Sequence, residues 1–249
     1  MSDKPSDIRS RQNEMSQTTT LPSDVLYKKP TNRARFPNPN LDLIESITQD
    51  GPKLVDLWEL SPVQKINDAP NTEVILDLLY PDSPWLCIGK TLKYCPTRTL
   101  HYWRKEQLDK YQYIVPSPMT GPKGRNFRGE LKTRTKNNTG PRRYLVLDFD
   151  SGTLDQQAAL IWHLKEYAPL CMTLFTGNKG LHAWFNVHKC PEEDVLRFFQ
   201  YSVSLWADKL LWRRYQMARL PDGLRSGAKG KPAARQSVFY LNPDNIPQS

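Results

Sequence analysis

Short apolar segments separated by polar turns begin near residue 41, and the first forty residues lack them. Residues 1–40 consist mainly of Ser, Thr, Asn, Gln, Pro and charged residues. A segment with so few apolar positions cannot bury a face, so we expect a disordered tail over 1–40. Between residues 41 and 80, apolar runs alternate with turns that contain Pro and Asn. This pattern predicts an N-terminal helical cap over 41–84.

The chain beyond residue 84 alternates between strand-like and helix-like patterns. Strands are predicted over 85–88, 144–150, 171–175, 181–187 and 237–241, and helices over 154–167 and from residue 191 onward. Residues 100–113 are charged and rich in aromatic residues, and they fit a helix or a strand equally well. The order strand, helix, hairpin, helix, strand predicts an α+β domain with a mixed or antiparallel sheet over 85–249.

The chain is basic, with 35 Lys and Arg against 26 Asp and Glu, which gives a formal charge of +9. This balance favours polyanionic partners, although solvated lysine faces produce the same excess. The basic residues concentrate in segment 116–143, which contains one acid, Glu130. Side chains of this loop that could follow a nucleic-acid backbone are Arg125, Arg128, Lys132, Arg134 and Arg142.

Membrane insertion and secretion are not expected. No apolar run reaches the length of about eighteen residues that a membrane span needs. The polar N-terminus also lacks the apolar stretch of a secretory signal. We therefore expect a soluble cytoplasmic protein with no membrane partner.

Two carboxylates, Asp148 and Asp150, end the predicted strand 144–150. Residues two apart on a strand point to the same face, so these side chains can share one or two hard cations. Mg²⁺ or Mn²⁺ needs only a couple of carboxylates here, because substrate phosphates and water supply the other ligands. The alternative is that the two acids merely begin a polar turn.

The same strand end permits a second enzymatic interpretation. Residues 147–153 resemble the D-x-D-G-T signature of haloacid-dehalogenase-type phosphatases, but the inserted Ser151 interrupts it. That family also opens its catalytic domain with this strand, whereas more than half of this chain lies upstream. Such a phosphatase is the less favoured alternative.

A polar turn between the two central strands offers groups suited to phosphate. Residues 177–182 place backbone amides, Lys179 and His182 on one short hairpin. This combination suits a triphosphate held near a bound metal. A lone histidine is also compatible with a purely structural role.

Three segments in order carry a resemblance to a known family. They are residues 144–150 (YLVLDFD), residues 176–182 (TGNKGLH), and Asp208 with residues 217–223 (MARLPDG). Together they resemble the archaeo-eukaryotic primases and primase-polymerases, especially plasmid- and phage-borne relatives. The resemblance covers roughly residues 85–243 and implies a catalytic core with a sheet of the RNA-recognition-motif (RRM) type.

The resemblance implies a function and a set of roles. The chain would be a DNA primase or primase-polymerase that synthesises or extends primers on a single-stranded DNA template from nucleoside triphosphates. It would act in mobile-element replication, and a separate helicase is a further partner that the resemblance allows. Asp148, Asp150 and Asp208 would be the catalytic metal ligands. The nucleotide contacts would be His182, Lys179, Gly177 and Arg219.

The third segment leaves two questions open. Asp208 and the later Arg219 have the spacing of the family, but Asp222 stands where a glycine is common. Asp222 is therefore an alternative third acid. A non-catalytic replication protein that keeps the fold to bind DNA is a rival function.

Overall fold

The computed structural model describes residues 36–64, 71–227 and 232–248. Most of the predicted tail, residues 1–35, and residues 65–70 of the predicted helical cap lie outside this part of the chain. The helices are α1 (Leu41–Gln49), α2 (Leu54–Glu59), α3 (Thr72–Leu79), α4 (Leu100–Trp103), α5 (Leu154–Leu164) and α6 (Glu192–Ser204), with 3-10 turns at Leu108–Lys110, Lys209–Trp212 and Pro243–Asn245. The strands are β1 (Trp85–Gly89), β2 (Thr97–Thr99), β3 (Tyr113–Ile114), β4 (Gly124–Arg125), β5 (Leu131–Lys132), β6 (Tyr144–Phe149), β7 (Leu170–Phe175), β8 (Leu181–Asn186), β9 (Ala218–Arg219), β10 (Leu224–Arg225), β11 (Ala234–Arg235) and β12 (Val238–Leu241).

Two four-stranded sheets organise the described residues. One has the order β12-β7-β8-β6 and the other the order β2-β1-β3-β9, and every strand pair is antiparallel. Strands β4 and β5, and strands β10 and β11, form two separate hairpins. This arrangement confirms an α+β fold with antiparallel sheets. None of the helices in the described ranges is long and apolar enough to cross a membrane.

One face of the sheet β12-β7-β8-β6 packs against helices. Alternate residues of β6 and β8, such as Leu147 and Phe185, join the buried cluster that also contains residues of α5 and α6. Ile44 of α1 and Leu57 of α2 belong to the same cluster. The first two helices of the predicted cap therefore share the core of the domain that follows them.

The opposite face of the sheet packs against the other sheet and α3. Tyr144 and Val146 of β6 and Trp184 of β8 lie in this second cluster, together with residues of α3, β1 and β3. Because side chains alternate along a strand, Asp148 and His182 follow Val146 and Trp184 on the same face. The polar residues thus stand at the end of an apolar inter-sheet layer.

Several element predictions are confirmed with small shifts of their bounds. The predicted helix 154–167 ends at Leu164, and the helix from residue 191 begins at Glu192 with Pro191 as its N-cap. The ambiguous segment 100–113 is neither one helix nor one strand, because it contains α4, a 3-10 turn and the first residue of β3. Segment 116–143, predicted as a loop, contains the short hairpin β4–β5.

Candidate functional site

Adjacent antiparallel strands bring the predicted aspartate and histidine together. In the register of β6 and β8, Asp148 lies directly opposite His182. His182 Nε2 lies 3.4 Å from Asp148 Oδ1. The histidine is buried, at 4% exposure, whereas the aspartate side chain keeps 22% of its surface open. The pair therefore forms the floor of a polar site that solvent can reach from the aspartate side.

A backbone group of β9 orients the imidazole. The N–H of Arg219 donates to His182 Nδ1 over 3.2 Å. Since Nδ1 accepts this bond, the ring proton lies on Nε2, the nitrogen that faces Asp148. The two sheets meet at this contact, so the histidine joins the strand that carries Asp148 to the strand that carries Arg219.

Among the buried polar atoms that lack hydrogen-bond partners in the described residues, two of opposite character belong to this site. They are Asp148 Oδ1 and Arg219 Nη1. His182 Nε2 lies within ion-pair distance of Asp148 Oδ1, but this contact does not have the geometry of a hydrogen bond. Buried polar groups are normally paired, and an unpaired one calls for an explanation such as strain, a catalytic role or a bound ion. One atom is suited to a cation and the other to an anion.

Neighbouring N–H donors and cations keep Asp148 ionised. Burial raises the pKa of this carboxyl, but the neighbouring His182, Arg219 and Lys179 outweigh burial, and the pKa lies below its ordinary value. Burial lowers the pKa of Arg219, and Tyr113 opposes this effect. The guanidinium of Arg219 lies 4.7 Å from the centroid of the Tyr113 ring. The site thus presents a carboxylate within a cationic surround.

The turn between β7 and β8 holds the second carboxylate close to a lysine. Lys179 Nζ lies 4.0 Å from Asp150 Oδ2, and both side chains are more than half exposed. A Cβ at Gly180 would lie 2.4 Å from the backbone oxygen of Phe149 and 2.5 Å from Asp150 Oδ1. The close approach of the turn to the end of β6 therefore requires glycine at position 180.

Gly177 adopts the left-handed conformation in the same turn, with φ of 78°. A Cβ there would meet the side chain of Arg225 at 3.3 Å. Arg225 in turn donates from Nη1 to the carbonyl of Thr176 over 3.1 Å. Gly177 thus shapes the turn, and Arg225 adds a cation beside it that sequence reasoning missed. A lone arginine beyond the third segment gave no signal of this proximity.

A buried glutamine of α5 supports the turn between β7 and β8, and sequence reasoning missed this residue as well. Gln157 is fully buried and accepts from the N–H of Leu181 over 3.0 Å. Its Nε2 donates to the carbonyls of Ser151 and Lys179 over 3.1 and 3.3 Å. A polar residue on the apolar side of a predicted helix was the only available signal. Gln157 connects the chain after β6 to the chain before β8.

Asp208 lies next to Asp148 through the backbone. Its N–H donates to the carbonyl of Asp148 over 2.8 Å, beside a bridge between Phe149 and Ala207. It precedes the 3-10 turn Lys209–Trp212, and its Oδ1 accepts from the N–H of Leu210 over 2.9 Å. Asp208 therefore does not lie on an outer helix face. It stands at the edge of the site with one carboxylate oxygen used as a cap.

Asp222 has a different position. It is fully buried with a φ of 55°, and its Oδ2 accepts from the N–H of Asn71 over 3.0 Å. Its carbonyl accepts from Arg235 over 2.8 Å. The first bond joins the turn after β9 to the start of α3, and the second joins it to β11. Between the two candidate third acids, the backbone contact to Asp148 therefore favours Asp208.

Within residues 36–64, 71–227 and 232–248, no group of three or more His, Cys, Asp or Glu side chains is placed to hold a metal ion. The expected set of three carboxylates is thus not assembled as a cage. Asp148 and Asp150 nevertheless supply hard oxygen donors, and one of these oxygens is buried with no hydrogen-bond partner among the described residues. This donor set fits a divalent ion that takes its remaining ligands from phosphate and water.

Of the five arginines and lysines predicted to contact nucleic acid, three are exposed on a hairpin and two bond to other parts of the fold. Arg125, Arg128 and Lys132 are exposed and belong to residues 124–132, which we call the basic hairpin. Arg134 donates to the carbonyls of Tyr215 and Leu92 over 3.0 and 3.4 Å.

Arg142 has a structural environment. Its side chain is 6% exposed and pairs with Glu192 at 3.2 Å, and its guanidinium lies 4.1 Å from the centroid of the Trp212 ring. It also donates to the carbonyl of Trp212. These contacts hold α6 and the following turn against the loop before β6. The guanidinium is committed to them, so we do not retain Arg142 as a phosphate contact.

Comparisons with known proteins add no assignment to this geometry. No protein-family model matches the chain, and no curated protein or solved structure matches it significantly.

Proposed function

We propose that this chain is a metal-dependent nucleotidyl transferase of the archaeo-eukaryotic primase kind, which synthesises or extends primers on a single-stranded DNA template. The observation that carries the proposal is the pair of buried, unpartnered atoms of opposite character, Asp148 Oδ1 and Arg219 Nη1. A metal-bound nucleoside triphosphate satisfies both atoms at once, because it offers a cation to the carboxylate and phosphate oxygens to the guanidinium.

Asp148 and Asp150 are the residues proposed to hold Mg²⁺ or Mn²⁺, with Asp208 as a third ligand. The ion would supply stabilisation of the negative charge that develops on the transferring phosphoryl group. The low pKa of Asp148 supports this role, because the carboxylate is ionised and ready to bind throughout the neutral range. The exposed Asp150 beside it provides the open side that a substrate needs.

The cationic residues of the site are proposed to bind and orient the triphosphate. Lys179 is exposed on the turn that Gly177 shapes, and Arg219 lies beside Asp148. His182 cannot swing away, because β9 holds its Nδ1. Its Nε2–H, which faces Asp148 Oδ1 across 3.4 Å, would also be a donor to a phosphate oxygen bound beside the aspartate. Fixed donors of this kind lower the barrier to phosphoryl transfer without reorganising during the reaction.

The second candidate function is that of a non-catalytic replication protein, which keeps this fold to bind DNA. The specific observation in its favour is that no group of three metal-ligating side chains is placed to hold an ion within the described residues. Such a protein would bind template DNA through its basic surface and incorporate no nucleotide. The two functions make opposite predictions in an incorporation assay.

The proposal is tested with Asp148→Asn and Asp150→Asn. Each variant keeps the side-chain volume and removes one negative charge, so folding should persist while incorporation falls by about a hundred- to a thousandfold. Asp244→Asn is the matched control, because Asp244 is an exposed acid beside the opposite end of β8, where Asn245 bonds to Asn186. Full incorporation by both site variants would reject the proposal.

A further inference from the structure

The most exposed of the large apolar side chains in the described residues stands at the tip of the basic hairpin. Phe127 is 91% exposed. It lies between the two short strands β4 and β5, on a hairpin that also carries Arg125, Arg128, Glu130 and Lys132. A phenyl ring left in water forgoes the stabilisation that burial provides, so the fold gains nothing from this position.

Hydrogen bonds fix the backbone at the tip of the basic hairpin. Asn126 Oδ1 accepts from the N–H groups of Arg128 and Glu130 over 2.9 and 3.0 Å. The N–H of Asn126 donates to the carbonyl of Glu130 over 2.9 Å, and the N–H of Gly129 donates to the carbonyl of Asn126 over 3.0 Å. Gly129 takes a φ of 78°, which closes the loop. These bonds hold the ring outward.

The base of the hairpin is anchored to the domain. Asn137 donates to the carbonyl of Arg125 over 2.9 Å. A Cβ at Gly124 would lie 2.6 Å from Thr135 Oγ1 and 2.8 Å from the Cβ of Asn138. Asn138 is itself buried and bonded to Thr135. The ring is thus presented by a fixed support.

The chemistry of the tip matches one class of ligand. Arg128 lies 5.2 Å from the centroid of the Phe127 ring, which places a guanidinium beside an exposed aromatic face. Aromatic faces stack on unpaired bases, and flanking cations bind the phosphates between those bases. A purely apolar protein surface would complement the ring but offer nothing to the cations of the hairpin, of which Lys132 already pairs with Glu130 at 3.4 Å and Arg125 donates to the carbonyl of Gly129 over 2.8 Å. Single-stranded nucleic acid complements both.

We propose that Phe127 stacks on an unpaired base of single-stranded nucleic acid while the cations of the basic hairpin hold the adjoining phosphates. This inference deepens the proposed function, on which it rests for the identity of the template strand. It assigns the base contact to a hairpin outside the carboxylate site. Loss of Phe127 should therefore affect strand binding and leave the binding of nucleotide and metal unchanged.

The test measures the anisotropy of a fluorescein-labelled oligothymidylate and of a matched oligonucleotide whose residues are abasic, with the full chain. Wild type should bind the base-bearing strand more tightly. Phe127→Ala should weaken that binding roughly five- to a hundredfold and have little effect on the abasic strand, which keeps the phosphates. Phe127→Trp should retain the preference. Leu131→Ala is the matched control, because Leu131 is 59% exposed on the same hairpin.

Three outcomes would overturn the inference. They are unchanged binding by Phe127→Ala, an equal loss on both strands, and full retention of the base preference by Phe127→Leu, which keeps an apolar side chain without a ring. The first outcome would redirect attention to a protein partner for the ring. Failure of the proposed function is distinguishable, because a chain that incorporates no nucleotide could still show the base preference and its dependence on Phe127.

Discussion

Replacing Gln157 with leucine tests how the turn of the site is supported. The substitution keeps the side chain close to its original size and removes every hydrogen bond that it makes. Gln157 is fully buried in α5, where it accepts from the N–H of Leu181 and donates to the carbonyls of Ser151 and Lys179. No cavity is created, so the loss is that of the polar contacts alone.

The loss in free energy of unfolding depends on whether the backbone groups that lose their partner are buried or exposed. Leu181 is fully buried, so its N–H would be left without a partner at a cost of about 1–3 kcal/mol. Ser151 and Lys179 are exposed, so their carbonyls can bond to water and should each cost about 0.5 kcal/mol. The free energy of unfolding should therefore fall by about 2–4 kcal/mol. The KM for nucleotide should rise as well, because the turn that carries Lys179 loses its support.

Urea unfolding followed by tryptophan fluorescence measures the change. Gln156→Leu is the matched control, since the neighbouring glutamine accepts from the N–H of Thr153 over 2.9 Å in a capping box. That loss should cost about 0.5–1 kcal/mol. If Gln157→Leu destabilised the protein no more than Gln156→Leu, the support assigned to Gln157 would be refuted.

Three further predictions concern the site and the basic hairpin. Asp208→Ala should depress turnover strongly with little change in template affinity, whereas Asp222→Ala should mainly lower the free energy of unfolding, because it removes the bond to Asn71. Measurements of turnover and of urea unfolding for the two variants separate these effects, and full turnover by Asp208→Ala would contradict its assignment as a metal ligand. Folding lowers the pKa of Asp148 below 3.8, so the stability that this carboxylate contributes is present above that pH and is lost as the pH falls through the pKa of the folded state. The difference in free energy of unfolding between wild type and Asp148→Asn should therefore shrink as the pH falls below 3.8, and a constant difference would show that the carboxyl does not titrate in this way. Neutralising the three cations of the basic hairpin should lower the slope of log affinity against log salt for single-stranded DNA by about two, and an unchanged slope would show that these charges do not contact phosphate.

Asp148 and His182 were predicted from two separate local patterns. Asp148 comes near the end of a strand whose apolar pattern is regular, and His182 lies at the start of β8, after a turn rich in glycine. Pairing of β6 with β8 brings the two side chains together, although α5 and β7 lie between these strands in the sequence. The local patterns placed each residue at a strand end, and the resemblance of the three segments to primases nominated them as parts of one site.

The features that sequence missed depend on contacts between distant segments. Arg142 and Arg125 look alike in a basic loop, yet Arg142 is buried, where it packs on Trp212 and pairs with Glu192, fifty positions away. Gln157 reaches across 24 positions to Leu181. No local pattern encodes either contact. Segment 100–113 was ambiguous for a different reason, because it changes conformation before any period can repeat.

Whether the chain is a nucleotidyl transferase is decided by template-directed incorporation with the wild-type protein. Labelled nucleotides are supplied one at a time on single-stranded homopolymer templates, with and without a primer, in the presence of Mg²⁺ or Mn²⁺ and in the presence of a chelator. The account predicts incorporation of the nucleotide that is complementary to the template, dependent on the divalent ion and lost in Asp148→Asn. Tight binding of the same templates with no ion-dependent incorporation under any of these conditions would contradict it and would favour the non-catalytic DNA-binding protein.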